Sequence, residues 1–266
     1  MSRLAILCGG GSLPVALAAA HPDAMCVVFE GVANDMSCEV HSHRFEKMGG
    51  LFEALKAGGV TRLVMAGGLG RPALSPAEFD AGMLAIAPRL LPALQGGDDA
   101  ILRLIIAVFE EQGFEVVGAH ELLDGLTAEE GLLAGPEPSE MALQDASRAA
   151  DILLALSPLD VGQGAVVAAG LALGIETLQG TDAMLRFVAE TPEHLRRGKG
   201  VFLKAPKRGQ DLRVDMPAIG PDTVRAAAKA GVEGIVVSAG RVVVLDRPKT
   251  LAALEDTGLF LLSRVI

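Results

Sequence analysis

A chain of 266 residues with 50% apolar and 21% charged side chains can bury one large hydrophobic core or two modest ones, which excludes global disorder. Nine Phe with no Trp or Tyr, together with a formal net charge of −10, argue against a ring-stacking or charge-driven nucleic-acid surface. Charge is also uneven: residues 1–135 hold 8 Lys and Arg against 17 Asp and Glu, whereas residues 136–266 hold 15 against 16.

Along the first half, strand and helix signals alternate. RLAIL (3–7) reads as a buried strand that runs through CGGGSLP into a helix-like VALAAA. AMCVVF (24–29) is the next strand, FEKMGGLFEALKAGG has helical spacing, and RLVMAG (62–67) is strand again. Helices near 82–94 and 99–112 precede a strand FEVVGA (114–119). Strands separated by helices of about ten residues predict an α/β fold, here an N-terminal Rossmann-like domain (1–128) with a mainly parallel sheet. Acids, Gly and two Pro gather without periodicity toward residue 142, so residues 129–141 are expected to be a linker. The C-terminal domain (142–266) reads as α/β with a mixed sheet. It has a helix near 141–156, a β run at 164–176, a helix from Thr181 and a strand VFLKA (201–205). QDLRVDM (210–216) is taken as a strand, TVRAAAKAG as a helix and IVVSAGRVVVLD as a hairpin, before a helix from Thr250 and a last strand LFLLS. The start MSRLAILCGGG reaches its glycines too early for a signal peptide, and no apolar run approaches the roughly eighteen residues of a spanning helix. A cytoplasmic protein with, at most, peripheral membrane contact is expected. Cys8 and Cys26 lie in apolar strand runs and read as buried free thiols, and Cys38 adds no metal-type spacing.

Several loops could carry chemistry. Gly10, Gly11 and Ser12 open a helix after a strand, where amides can cradle phosphate, but Pro14 stands where a dinucleotide fingerprint needs Gly or Ala. Gly68 and Arg71 in AGGLGRP form a second strand-end loop, and ordinary turn chemistry explains both loops equally well. Asp98 and Asp99 begin a helix, as Thr181 and Asp182 do, where capping alone is sufficient reason for one acid. Gln163 lies in DVGQG, and seven Lys and Arg, among them Lys204 and Arg213, fall within residues 196–213 against Asp211 alone. On a strand, Asp211, Arg213 and Asp215 would share one face about 7 Å apart end to end. Such acids favour Mg²⁺, with Mn²⁺ as the alternative, held together with substrate phosphate. Arg213 and Lys204 could neutralise phosphate charge, while Asp222 beside a helix start serves either the dipole or water. The five His show no metal-type spacing.

The segments LCGGGSLP, MAGGLGRP, GGDDAILR, DVGQGAVV, GTDAML, KAPKRGQDLRVDMPAIGPDTV and VSAGRVVVLD, in this order, make the chain resemble the UDP-2,3-diacylglucosamine pyrophosphatase family of lipid A biosynthesis, in its two-domain, non-metallophosphoesterase form. Gln179 and Arg208 depart from that family's usual Glu and Pro. The resemblance implies Mg²⁺-dependent hydrolysis of UDP-2,3-diacylglucosamine to UMP and 2,3-diacylglucosamine 1-phosphate (lipid X), with water attacking the sugar-bound phosphorus. It implies an inner-leaflet substrate, a homodimer, and a catalytic carboxylate in the C-terminal domain. Asp215 and Asp222, with Asp211 behind them, are the expected catalytic and metal-binding acids, with Arg213 assisting. Gly10, Gly11, Ser12, Gly68, Arg71, Asp98, Asp99, Gln163, Thr181, Asp182, Lys204, Gln210 and Thr223 are the expected substrate contacts. A non-catalytic lipid or nucleotide-sugar binding protein is the alternative.

Overall fold

Two α/β units account for the chain in a computed structural model that describes residues 3–70, 73–95 and 98–266, the side chains of Leu91, Asp98 and Asp99 excepted. One unit comprises the residues up to Asp124 together with Asp211–Asp215; the other comprises Gly125–Gln210 and Met216–Ile266.

In the first unit, strands β1 (Arg3–Cys8), β2 (Met25–Phe29), β3 (His41–His43), β4 (Val60–Ala66) and β5 (Glu115–Val116) form a sheet in the order β3-β2-β1-β4-β5. Every pairing in it is parallel. The strands β1 and β2 are near-continuous apolar runs because a parallel sheet is covered on both faces. Helices α1 (Ser12–Ala20), α2 (Met48–Ala57), α3 (Ala81–Gln95) and α4 (Asp98–Glu111) connect them. Leu51, Phe52 and Leu55 of α2 and Ile106, Val108 and Phe109 of α4 pack with Ala5, Val27 and Leu63 into one core. Cys8 and Cys26 are buried free thiols and Cys38 is exposed.

The two glycine loops that follow β1 and β4 are joined to each other. Gly10 donates to the Gly68 carbonyl at 3.0 Å and Gly68 donates back to Gly10 at 2.9 Å. So close an approach leaves no room for a side chain: a Cβ on Gly67, whose φ is +88°, would lie 2.5 Å from the Gly10 carbonyl oxygen.

The second unit contains β6 (Gly131–Ala134), α5 (Glu140–Leu156), β7 (Gly164–Ala168), β8 (Leu171–Ile175), α6 (Gly180–Ala189), β9 (Val201–Lys204), β10 (Ala218–Ile219), α7 (Pro221–Lys229), β11 (Gly234–Ser238), β12 (Val243–Val244), α8 (Arg247–Thr257) and β13 (Phe260–Arg264). Its main sheet runs β6-β13-β11-β9-β7-β8. β9, β11 and β13 are mutually parallel, and the outer pairings are antiparallel, so the sheet is mixed. Ala142, Ala146 and Ala149 of α5 pack on Val201 and Leu203, while Met184, Leu185 and Val188 of α6 and Val224 and Ala227 of α7 pack on the face that carries Phe202.

Three sequence expectations are corrected. IVVSAGRVVVLD is not a hairpin: β11 joins the main sheet, while β12 pairs in parallel with β10 in a separate two-stranded sheet. Strand β6 lies within 129–141, paired antiparallel with β13. The third correction concerns 210–216, which forms a turn and no strand. There the Asp211 carboxylate accepts the Arg213 backbone N–H at 3.1 Å, and the Asp211 carbonyl accepts the Asp215 N–H at 3.3 Å. A short acid that captures amides two residues ahead offers the backbone an alternative to a ladder.

Side chains hold this turn in the first unit. The Arg213 guanidinium meets Asp211 at 2.7 Å and Glu110 of α4 at 2.7 Å, and Val214 packs against the core. The side-chain hydrogen bond from Arg213 is the largest influence holding the Asp211 carboxyl below the usual carboxylate range, and Arg213 itself is raised by both acids.

Two outcomes follow from this architecture. Gly67→Ala should destabilise the protein by more than about 1 kcal/mol in denaturant melts, whereas Gly68→Ala, which meets no atom within 4 Å, should be tolerated. Because the folded Asp211 value is depressed, its contribution is fully present above the unfolded value near 4 and is lost as pH falls through the folded one. Arg213→Met should therefore lower Tm at neutral pH, with the gap to wild type closing below about pH 4. A gap independent of pH would discount the pairing.

Candidate functional site

The carboxyl ends of β9 and β11, the start of β7 and the end of β8 meet at one edge of the mixed sheet, where Gly164 is in register with Lys204 and Lys204 with Val237. Helix α6 begins directly after β8, so its first turn opens at this edge. Open α/β sheets gather ligands outside the carboxyl ends of their strands.

Lys204 ends β9 and is only 4% exposed. It lies two residues after Phe202, so period-2 geometry puts it on the α6 face. Its ammonium donates to Glu176 Oε2 at 2.8 Å, to Glu176 Oε1 at 3.1 Å and to Thr181 Oγ1 at 2.7 Å. Thr181 donates in turn to Glu176 Oε2 at 3.1 Å, which closes a ring of three groups. Glu176 is 9% exposed. Losing one partner of such a buried pair costs on the order of 3–5 kcal/mol, because the other charge is left without compensation.

Gln163 and the turn after β9 adjoin this ring, and the remaining expected residues of this unit lie at helix starts. The Gln163 carbonyl accepts the Ala205 N–H at 2.9 Å. Gln210 is buried, and its Oε1 accepts the Lys207 N–H at 2.9 Å, closing the turn after β9. The Lys207 ammonium pairs with Asp160, in the loop before β7. Asp182 is exposed in the first turn of α6. At the start of α7, Thr223 Oγ1 accepts the Gly220 N–H at 3.3 Å, and the 90% exposed Asp222 carboxylate pairs with Arg225 at 2.6 Å.

In the first unit, the amides expected to cradle phosphate are committed to protein acceptors. Gly10 and Gly68 bond each other, and the Gly11 N–H donates to the Asp35 carboxylate at 3.1 Å. Ser12 is exposed at the start of α1. Arg71 and the Asp98 and Asp99 side chains lie outside the described residues. Sequence reasoning did not name Glu176 as a partner of Lys204, nor Asp35 as the acceptor of the Gly11 N–H. Glu176 had a visible signal, an acid at a strand end one turn before GTD; Asp35, in an irregular loop, had none.

As a cation ligand Asp211 does not fit, since Arg213 covers both of its oxygens. Asp215, half-buried, and Asp222 present hard oxygen donors of the kind Mg²⁺ accepts beside phosphate and water. Among the described residues no three His, Cys, Asp or Glu side chains are grouped to hold a metal ion.

Two comparisons bear on this arrangement. Residues 3–126 match the family model described as LpxI N-terminal domain, and residues 129–262 match the LpxI C-terminal domain. The chain is 41% identical over 273 aligned positions to a Caulobacter vibrioides protein named UDP-2,3-diacylglucosamine pyrophosphatase LpxI, covering 98% of this chain and 97% of that relative. The similarity thus runs through both units and includes every segment of the sheet edge around Lys204, and the chain belongs to the LpxI family.

Proposed function

We propose that this protein hydrolyses the pyrophosphate bond of UDP-2,3-diacylglucosamine, releasing UMP and 2,3-diacylglucosamine 1-phosphate. The observation that carries this reading is the 41% identity to a pyrophosphatase of that name across 98% of the chain. In the proposed step, a water oxygen bonds to the phosphorus on the sugar side, the bridging oxygen leaves with UMP, and the water proton passes to a carboxylate. Asp215 and Asp222 are the acids proposed for that proton. Either would also help hold Mg²⁺, or Mn²⁺ in its place; when bound, the cation supplies neutralisation of phosphate charge.

Cleavage of a phosphoanhydride is mostly a matter of positioning and of stabilising developing charge. The fixed ammonium of Lys204 supplies positive potential at the sheet edge, where a dry setting makes it count for more than in water. Thr181, Gln163 and Gln210 supply neutral polar groups around it, and the first turn of α6 adds the positive end of a helix dipole. For peripheral contact with the inner leaflet we propose Leu178 and Phe187, exposed at 89% and 66%, with the exposed Arg197 and Lys199 facing anionic headgroups. No described helix is long and apolar enough to cross a membrane.

The test is a purified-protein assay in ¹⁸O water. Steady release of UMP, abolished by EDTA and restored by Mg²⁺, with label entering only the sugar phosphate, is the expected result. Tight binding of the substrate without turnover would replace this reading with that of a carrier. Asp215→Ala and Asp222→Ala should each lower kcat by at least about 100-fold while retaining capture of substrate; full activity in either removes that residue from the mechanism.

A further inference from the structure

We propose that Glu176 is a positioning residue for this hydrolysis, acting through Lys204. The inference rests on the pyrophosphatase reading above and adds a residue argued to act through another side chain.

The fold reserves space for this carboxylate. A Cβ on Gly164 would lie 2.5 Å from Glu176 Oε2, and a Cβ on Gly162 would lie 2.1 Å from the Glu176 carbonyl oxygen. Both glycines have ordinary φ angles, so conformational freedom does not explain them; the approach of Glu176 does. The Glu176 backbone is itself pinned, its N–H donating to the Gly164 carbonyl at 2.8 Å. Thr181, held in the first turn of α6, contributes the third side of the ring.

Stability does not call for such an arrangement. Removing two charges from water is costly, and well-packed apolar side chains of similar volume serve a core as well or better. What the ring achieves is direction. An ammonium has three N–H donors on a flexible stem, and contacts to two carboxylate oxygens and one hydroxyl fix where that charge sits before any substrate arrives. The other ionisable groups on α6 and α7, Asp182 and Arg186 of the first and Asp222, Arg225 and Lys229 of the second, are exposed, and Asp222 and Arg225 are paired with each other. Glu176 thus sets the aim of the buried cation, and that aim matters most when negative charge develops on the departing phosphate.

Three variants separate this role from a structural one: Glu176→Gln, which keeps size and an acceptor but removes the charge, Lys204→Met, and the two combined. Wild type is assayed alongside with UDP-2,3-diacylglucosamine, following UMP. Glu176→Gln should lose at least about tenfold in kcat with KM within about twofold, the mark of an interaction made in the transition state. Lys204→Met should lose more, and the combined variant should be no worse than Lys204→Met alone, because groups that act as one unit are not additive. Wild-type kcat in Glu176→Gln, even with a lowered Tm, overturns the proposal, as do losses that multiply in the combined variant. Should Glu176→Gln fail to fold, Glu176→Met with Lys204→Met supplies an uncharged, packed core; a normal kcat there also overturns it. If wild type itself releases no UMP, the hydrolase reading fails, which is a different result from a turning-over wild type matched by Glu176→Gln.

Discussion

A positive charge buried at the end of a strand is the constraint around which the C-terminal unit is organised. Lys204 could have been an apolar residue like Phe202 beside it, and the sheet would pack. Instead the chain supplies an acid from the next hairpin, a hydroxyl from a helix start, and glycines to let the acid in. Together with Lys204 itself, those groups come from four separate stretches of sequence. Their agreement on one point in space is the sort of local cost that folds carry at functional sites.

Backbone contact plays the corresponding part in the N-terminal unit. There the loops after β1 and β4 are locked by reciprocal amide bonds between Gly10 and Gly68, and Asp35 takes the amide of Gly11. The N–H groups of Gly10, Gly11 and Gly68 in these loops are therefore already satisfied. A phosphate can reach the Gly11 amide only by displacing Asp35.

How much of this was legible depended on how local the determining physics was. Apolar runs such as RLAIL and MCVVF declare buried parallel strands, and the helices at 81–95 and 140–156 declare themselves by spacing, because each pattern is written into neighbouring residues. The segment 210–216 misleads for the same reason. Its alternation of charged and apolar residues has strand period, yet Asp211 captures its own neighbours' amides and Val214 finds a core contributed by residues no later in the chain than Val116. Val243 and Val244 look like the return strand of a hairpin, but their hydrogen-bonding edge is taken by Ala218 and Ile219. Of the site, Lys204, Thr181 and Gln163 could be named from their loops. Glu176 could not be joined to them, since nothing in the sequence states that the end of one strand lies against the end of another 28 residues away.

The five-residue turn at Asp211–Asp215 has a topological consequence. Because it belongs by its contacts to the first unit while the residues on both sides belong to the second, the polypeptide passes between the units at three places, after Asp124, after Gln210 and after Asp215. No single cut in the gene yields both units whole. A fragment ending at Asp124 would leave Glu110 without its arginine and expose the patch of core that Val214 covers, so the protein's two lobes are, in the strict sense of chain topology, interleaved and not strung end to end.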